Sequence, residues 1–333
     1  MTLSAMERLV FLSLACRALG DGSPIIGIFS LPVSGPYAPL FCGGNVSFCE
    51  MLPASYVRFI ESAGGQVVPV SSNTSDEDMD HLIDSLNGFL FTGGQDLDVP
   101  RPAQRLMERS RRAHKEKDPA GGIPVWGTCL GFEWMIAAIA PEALQVGFNA
   151  TNVSLPLQLL PSAKSSKLLG QAPQSVLDAL TLHRTAFNMH HRGARPESWN
   201  QFPALNRSLQ PLATSVDSDG KAFVSAIEGV DGLPWFGVQF HPEKNIFEHG
   251  LFRDGRPLED IPHSPEAVQM AQYMANFFVE QTRLNSRSFA NETEEVARLI
   301  YGRETTSRLA PYFQEVYIFE TPEAVAGQGS IFI

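Results

Sequence analysis

The chain has 333 residues, 44% of them hydrophobic, which suffices to bury a full core, and no compositional break divides it, so one large α/β domain is expected. A formal net charge of −11 lacks the basic footprint of a nucleic-acid binder. No run reaches the ~18 apolar residues of a spanning helix, and no paired spacing suits zinc, so neither a membrane span, a metal nor a cofactor is expected.

At the N-terminus, Arg8 precedes the apolar run Leu9 to Leu14 and then Ala18 and Gly20, which resembles a signal peptide of residues 1–20 cut near Asp21. Arg17 and the brevity of the run weigh against it. Glycosylation acceptors weigh for it: Asn45, Asn73, Asn149, Asn152, Asn206 and Asn291 all begin N-x-[ST], six of the chain's twelve asparagines. A secretory route is therefore expected. Without Cys16 there remain Cys42, Cys49 and Cys129, and in an oxidising compartment the first two can close a small disulfide, leaving Cys129 as the odd thiol.

Ile25 to Ser30 read as a first strand, followed by a long Gly/Pro loop through Pro53, a natural pocket wall. Ala54 to Ala63 form an amphipathic helix with Tyr56, Phe59, Ile60 and Ala63 on one side, ended by Gly64-Gly65. Gln66 to Val70 is a second strand. Ser75 then caps a helix carrying Met79, Leu82, Ile83 and Leu86, with Asp78 at its third position. Gly88 to Phe91 is a third strand running into Gly93-Gly94. The basic stretch Arg101, Arg105, Arg109, Arg111, Arg112, Lys115 and Lys117 reads as a solvated helix face, and Ile123 to Trp126 as the next strand. Strand and helix alternating in this way imply a doubly wound, mostly parallel sheet.

After Ala140 the runs Leu155 to Leu160, Leu212 to Val216 and Ala222 to Ile227 read as antiparallel additions, and Pro234 to Phe240 as another buried strand. Asn188-Met189-His190-His191 is too polar for a buried strand and, beside Arg192, reads as a loop facing an anionic ligand. Ser264-Pro265 opens a helix burying Ala267, Met270, Ala271, Met274, Phe277 and Phe278. Residues 286–320 read as an extension with one helix, Thr293 to Tyr301, and a final strand, Glu315 to Phe319, before a tail of 321–333.

Within this frame Gly127-Thr128-Cys129-Leu130-Gly131 places a cysteine where a buried strand turns into the apolar helix Leu130 to Ala140. That is the geometry of a nucleophile elbow with sulfur in place of oxygen, where flanking glycines permit backbone angles and approaches that a Cβ forbids. Free N–H groups at the helix start favour thiolate, and that of Leu130 can stabilise an oxyanion. His241, delivered by the strand ending at Phe240, has the position of a general base and acid for Cys129. Glu243 either orients the imidazole or pairs at the surface. Gly93-Gly94 either marks a plain turn or presents a second oxyanion N–H.

These residues carry a family resemblance. Phe91-Thr92-Gly93-Gly94, the run Pro124 to Glu133 (PVWGTCLGFE) and Gly237 to Lys244 (GVQFHPEK) resemble γ-glutamyl hydrolases, within the class I glutamine amidotransferase-like superfamily of flavodoxin-like architecture. Supporting stretches are Ala54 to Val57, Glu61 to Gly64, Val67 to Val70, Asn188 to His190 and Tyr317 to Phe319. The resemblance covers residues 24–320 as one catalytic domain. It implies cysteine-dependent cleavage of γ-glutamyl amide bonds in folylpoly-γ-glutamates, in lysosome or vacuole or after secretion, and leaves homodimerisation open. It places Cys129 as nucleophile, His241 as proton-transfer partner, and His190 and Glu133 in the substrate site. Glu50 and Met51 depart from it, standing where the family has aromatic residues, as does Met189 within the usual Asn-Phe-His. Arg184, Arg192 and Lys244 are candidates for the substrate's carboxylates, with surface solvation the role expected of each. Two other readings stand beside this one: a hydrolase of glutamine or small γ-glutamyl compounds on the same scaffold, and a catalytically silent binding protein.

Overall fold

The computed structural model describes residues 22–33, 38, 42, 49–94, 98–307 and 313–320. The signal-peptide reading, the acceptor Asn45 and the tail 321–333 lie outside them. In chain order the principal elements begin with β1 (Ile25–Phe29), β2 (Leu31–Val33), β3 (Cys49–Pro53), α1 (Ala54–Glu61), β4 (Gln66–Val70), α2 (Asp76–Ser85), β5 (Gly88–Phe91), α3 (Arg101–Glu116), β6 (Val125–Thr128) and α4 (Leu130–Ala137). There follow β7 (Leu144–Leu155), β8 (Gln158–Leu159), α5 (Gln174–Leu182), β9 (Ala186–Ala194), β10 (Leu209–Val216), β11 (Ala222–Gly229), β12 (Trp235–Val238), α6 (Pro265–Thr282), α7 (Glu292–Arg298), β13 (Thr305–Thr306) and β14 (Val316–Glu320).

The central sheet has the order β4-β1-β5-β6-β12-β11-β10-β8. Its first five strands are parallel, and β11, β10 and β8 continue it antiparallel, as the punctuated second half of the chain predicts. Because successive strand residues point to opposite faces, β5 and β6 feed two cores. Phe89, Phe91 and Val125 join the one built with Met79, Leu82, Leu106 and Phe132, whereas Leu90 and Trp126 join the one built with Phe59, Val176, Met274 and Phe278. Helices α2, α3 and α4 thus cover one face, and α1, α5 and α6 the other. The C-terminal ends of β5, β6 and β12 are left to form a site.

Three expectations from the sequence are corrected. The segment up to Pro53 is not simply a loop: β2 and β3 lie in a second sheet, β13-β14-β3-β2, where β14 pairs antiparallel with β3 and ties the C-terminal extension to the body. Pro32 sits on the edge strand and Pro53 at the end of β3, positions that tolerate a missing N–H, so proline content hid both strands. The basic face of α3 is not merely solvated. Arg101, Arg105 and Arg109 pair with Asp76, Asp80 and Asp84 of α2, because residues four apart on each helix share a face, and Arg111 lies 4.8 Å from the Trp235 ring. The polar run 188–191 belongs to β9, paired antiparallel with β7. Its polar groups are satisfied locally: Asn188 Nδ2 donates to the Ala186 carbonyl at 2.8 Å, and the His190 ring reaches the Arg192 carbonyl at 2.8 Å and Asn188 Oδ1 at 3.2 Å. Polarity therefore does not bar burial.

Glu50 is also buried, and its carboxylate accepts hydrogen bonds from the hydroxyls of Ser30 (2.5 Å), Ser71 (3.0 Å) and Ser72 (2.6 Å) and from the Ser72 N–H (3.1 Å). Burial raises its pKa, and these four donors oppose the rise. The carboxylate at this position thus has its own serine cradle.

Candidate active site

Cys129 lies between β6 and α4 with φ 51° and ψ −103°, a conformation that a non-glycine residue adopts at a cost of about 1–3 kcal/mol. The surroundings enforce it. The Cys129 N–H donates to the Val238 carbonyl at 2.9 Å, and the Gly131 N–H to the Thr92 carbonyl at 3.1 Å, so the turn is clamped on both sides. The flanking glycines serve close approach rather than unusual angles. A Cβ on Gly127 would lie 2.6 Å from the Gly131 carbonyl oxygen, and one on Gly131 2.4 Å from the Phe91 carbonyl oxygen. Strain sits on the cysteine itself.

Cys42 and Cys49 form a disulfide, leaving Cys129 the free cysteine among the described residues. Its sulfur is buried, 4.0 Å from the Met189 carbonyl of β9 and 4.0 Å from Gln239 Nε2. Leu130 is the first residue of α4, so its N–H has no acceptor within the helix. A Cβ on Gly94 would lie 3.0 Å from the Leu130 side chain, which brings the Gly93-Gly94 turn against the start of that helix.

His241 follows β12, its N–H given to the Phe187 carbonyl at 2.9 Å. Its Nδ1 lies 2.8 Å from Glu243 Oε1, both side chains being buried. Burial disfavours the imidazolium, yet the charges of Glu243 and Cys129 outweigh it and raise the pKa to about 10. A hydrogen bond between His241 and Cys129 contributes in the same direction. Glu243 therefore lies in the interior against the imidazole and not at the surface. The ring also accounts for Gly93, where a Cβ would lie 2.5 Å from it.

Glu133 sits one helical turn beyond Cys129 and is buried. It accepts from Arg192 Nε at 2.7 Å and from Gln239 Nε2 at 3.1 Å. His190 is buried on β9, its ring edge-on to Phe223 at 4.8 Å, and burial lowers its pKa to about 3. Adjacent His191 is exposed. The cations considered for anion binding are already engaged: Lys244 with Glu259 at 2.6 Å, Arg192 with Glu133, and Arg184 with the Ser154 carbonyl at 3.3 Å. Lys244 and Arg192 are thus held in ion pairs, whereas Arg184 is exposed.

Two residues at the site escaped the sequence reading. Gln239 bridges Glu133 and Cys129, and its spacing of two from His241 was the available signal. Tyr56, read as a core position on its helix, places its hydroxyl 3.4 Å from His241 Nδ1 and accepts the Gly93 N–H at 2.7 Å. No pattern distinguishes such a tyrosine from one that only packs.

The model of the family described as peptidase C26 matches residues 43–243. The chain is 33% identical to a γ-glutamyl hydrolase of Mus musculus over 308 residues, covering 90% of this chain and 91% of the relative. It is 34% identical to that of Homo sapiens over 276 residues (81% and 83%), and 30% identical to γ-glutamyl hydrolase 1 of Arabidopsis thaliana (90% and 84%). A solved glutaminase domain of Trypanosoma brucei CTPS with bound acivicin is similar with a TM-score of 0.47 and 13% identity, covering 80% of this chain and 98% of that one. With a family match over more than half its length and relatives aligned over most of it, the chain belongs to the peptidase C26 family, a cysteine-type hydrolase among γ-glutamyl hydrolases.

Proposed function

We propose that this protein hydrolyses γ-glutamyl amide bonds in folylpoly-γ-glutamates through a Cys129 thioester, with His241 as proton carrier. The observation that carries this reading is a free cysteine on a strained elbow beside a buried His241–Glu243 pair, whose imidazole is held protonated by the charges of Glu243 and Cys129. The thiolate attacks the γ-carbonyl carbon, and the electron pair moves to oxygen, where the N–H groups of Leu130 and Gly94 receive it. Collapse breaks the C–N bond as the His241 imidazolium gives its proton to the departing amine, a glutamate or polyglutamate. Water then attacks the thioester and returns a proton to His241, and the C–S bond breaks to restore thiolate and free γ-carboxylate. His190 and Glu133 belong to the substrate site in this reading. Glu133, fixed by Arg192 and Gln239, offers a carboxylate to N–H groups of the substrate.

In the same reading residues 1–20 direct the chain to the secretory route and 24–320 act as one catalytic domain. The Cys42–Cys49 disulfide and the exposure of Asn73, Asn149, Asn152, Asn206 and Asn291 support that route. No helix among the described residues is long and apolar enough to cross a membrane. Incubation with a pteroyl polyglutamate, free glutamine and a γ-glutamyl dipeptide tests the substrate class. Cleavage of the polyglutamate in preference supports it; preference for glutamine or the dipeptide favours the small-substrate alternative, and no cleavage favours a silent binder.

A further inference from the structure

Tyr56 lies on α1 and is buried, with only 3% of its surface exposed. Burial first, and then the negative charge of Glu243, raise its phenol well above 10, so it is a neutral O–H donor. Its oxygen accepts the Gly93 N–H at 2.7 Å and lies 3.4 Å from His241 Nδ1, the ring nitrogen that faces Glu243. A single hydroxyl thus joins the backbone of the Gly93-Gly94 turn to the His241–Glu243 pair. A phenylalanine would fill the same space, so packing alone does not call for the oxygen.

We propose that Tyr56 is a positioning residue for the reaction, its hydroxyl holding the Gly93-Gly94 turn in register with His241 so that the Gly94 N–H meets the developing oxyanion. The inference rests on the hydrolytic reading above, in which Gly94 serves that oxyanion. A donor displaced by about an ångström loses most of its value in the transition state while leaving substrate binding almost intact. Removing the hydroxyl also strands the Gly93 N–H, and the turn then shifts to satisfy it.

The test is Tyr56→Phe, measured by steady-state hydrolysis of a pteroyl polyglutamate and, separately, by the rate at which iodoacetamide alkylates Cys129. Alkylation forms no oxyanion, so it reads the thiolate whatever the natural substrate is. Expected are a kcat lower by about tenfold to a hundredfold, a KM within about threefold, and an alkylation rate within about threefold of the unsubstituted protein. A kcat within threefold overturns the proposal. So does a parallel fall in kcat and alkylation, which marks a general loosening of the site. If the unsubstituted protein alkylates readily but cleaves no γ-glutamyl compound, the functional reading fails instead, and the two failures are told apart.

Discussion

Replacing Glu243 by Gln keeps the shape of the site and removes one charge, which makes it a sharp test of how His241 is held. In the native protein two effects oppose each other on this imidazole: burial disfavours its charge, and the neighbouring carboxylate and sulfur favour it, with a net rise from 6.5 to about 10. At ~1.4 kcal/mol per pH unit, the net rise represents a few kcal/mol. Without the Glu243 charge, burial gains the upper hand and the pKa falls, so at neutral pH the imidazolium needed to protonate the leaving amine is depleted. A loss of about 10²–10⁴-fold in kcat/KM is expected, the usual worth of a positioned acid–base group. In a profile of kcat/KM against pH, the alkaline limb of the native enzyme, which reports loss of that proton, lies near 10, and in Glu243→Gln it moves to lower pH. Stability changes in the same sense. Because the folded-state pKa exceeds the unfolded 6.5, the His241 contribution is complete below pH 6.5 and is lost as pH rises through about 10. Urea unfolding between pH 6.5 and 10 should show that decline in the native protein and a flatter response in the variant. An unmoved alkaline limb with turnover within about tenfold of native would refute the assignment of Glu243.

Cys129→Ala should abolish hydrolysis by several orders of magnitude while circular dichroism and substrate affinity stay close to native; substantial turnover would sink the mechanism. Thiol titration of unfolded, unreduced protein lacking residues 1–20 should find one free thiol, and three would contradict the Cys42–Cys49 bridge, whose short loop contributes about 2–3 kcal/mol. His190→Asn should lower stability by about 1–3 kcal/mol, because the ring is buried and hydrogen-bonded on β9, whereas His191→Asn should change neither stability nor activity. Since burial lowers the His190 pKa from 6.5 to about 3, its contribution is present above pH 6.5 and lost as pH falls toward 3; a chemical-denaturation series that is equally acid-sensitive in native and His190→Asn proteins would speak against this burial.

The local alphabet of this protein was legible in its sequence because each signal is short-range. Gln66–Val70 and Gly88–Phe91 form strands over the residues their apolar runs mark, Ser75 accepts the Asp78 N–H as its spacing indicates, and Ser264-Pro265 opens α6. The elbow was legible for the same reason, since two glycines around a cysteine between a strand and an apolar helix leave few other geometries. What escaped depends on partners distant in the chain. Strand β3 was hidden because its pairing with β14 joins residues more than 260 positions apart, and β2 because its partner is β3, both against a local composition rich in proline. The polar run of β9 looked exposed because, although its side-chain hydrogen bonds reach only two residues along the chain, the pairing with β7 and the packing of His190 on Phe223 that bury it are invisible to periodicity. Residues 129 and 241 were recognisable singly, but their interaction, the burial that sets Glu243 against the imidazole, and the Tyr56 hydroxyl beside His241 exist only once β5, β6, β12 and α1 converge. Chemical identity is written residue by residue, whereas reactivity depends on distance and dielectric, and these only the folded chain supplies.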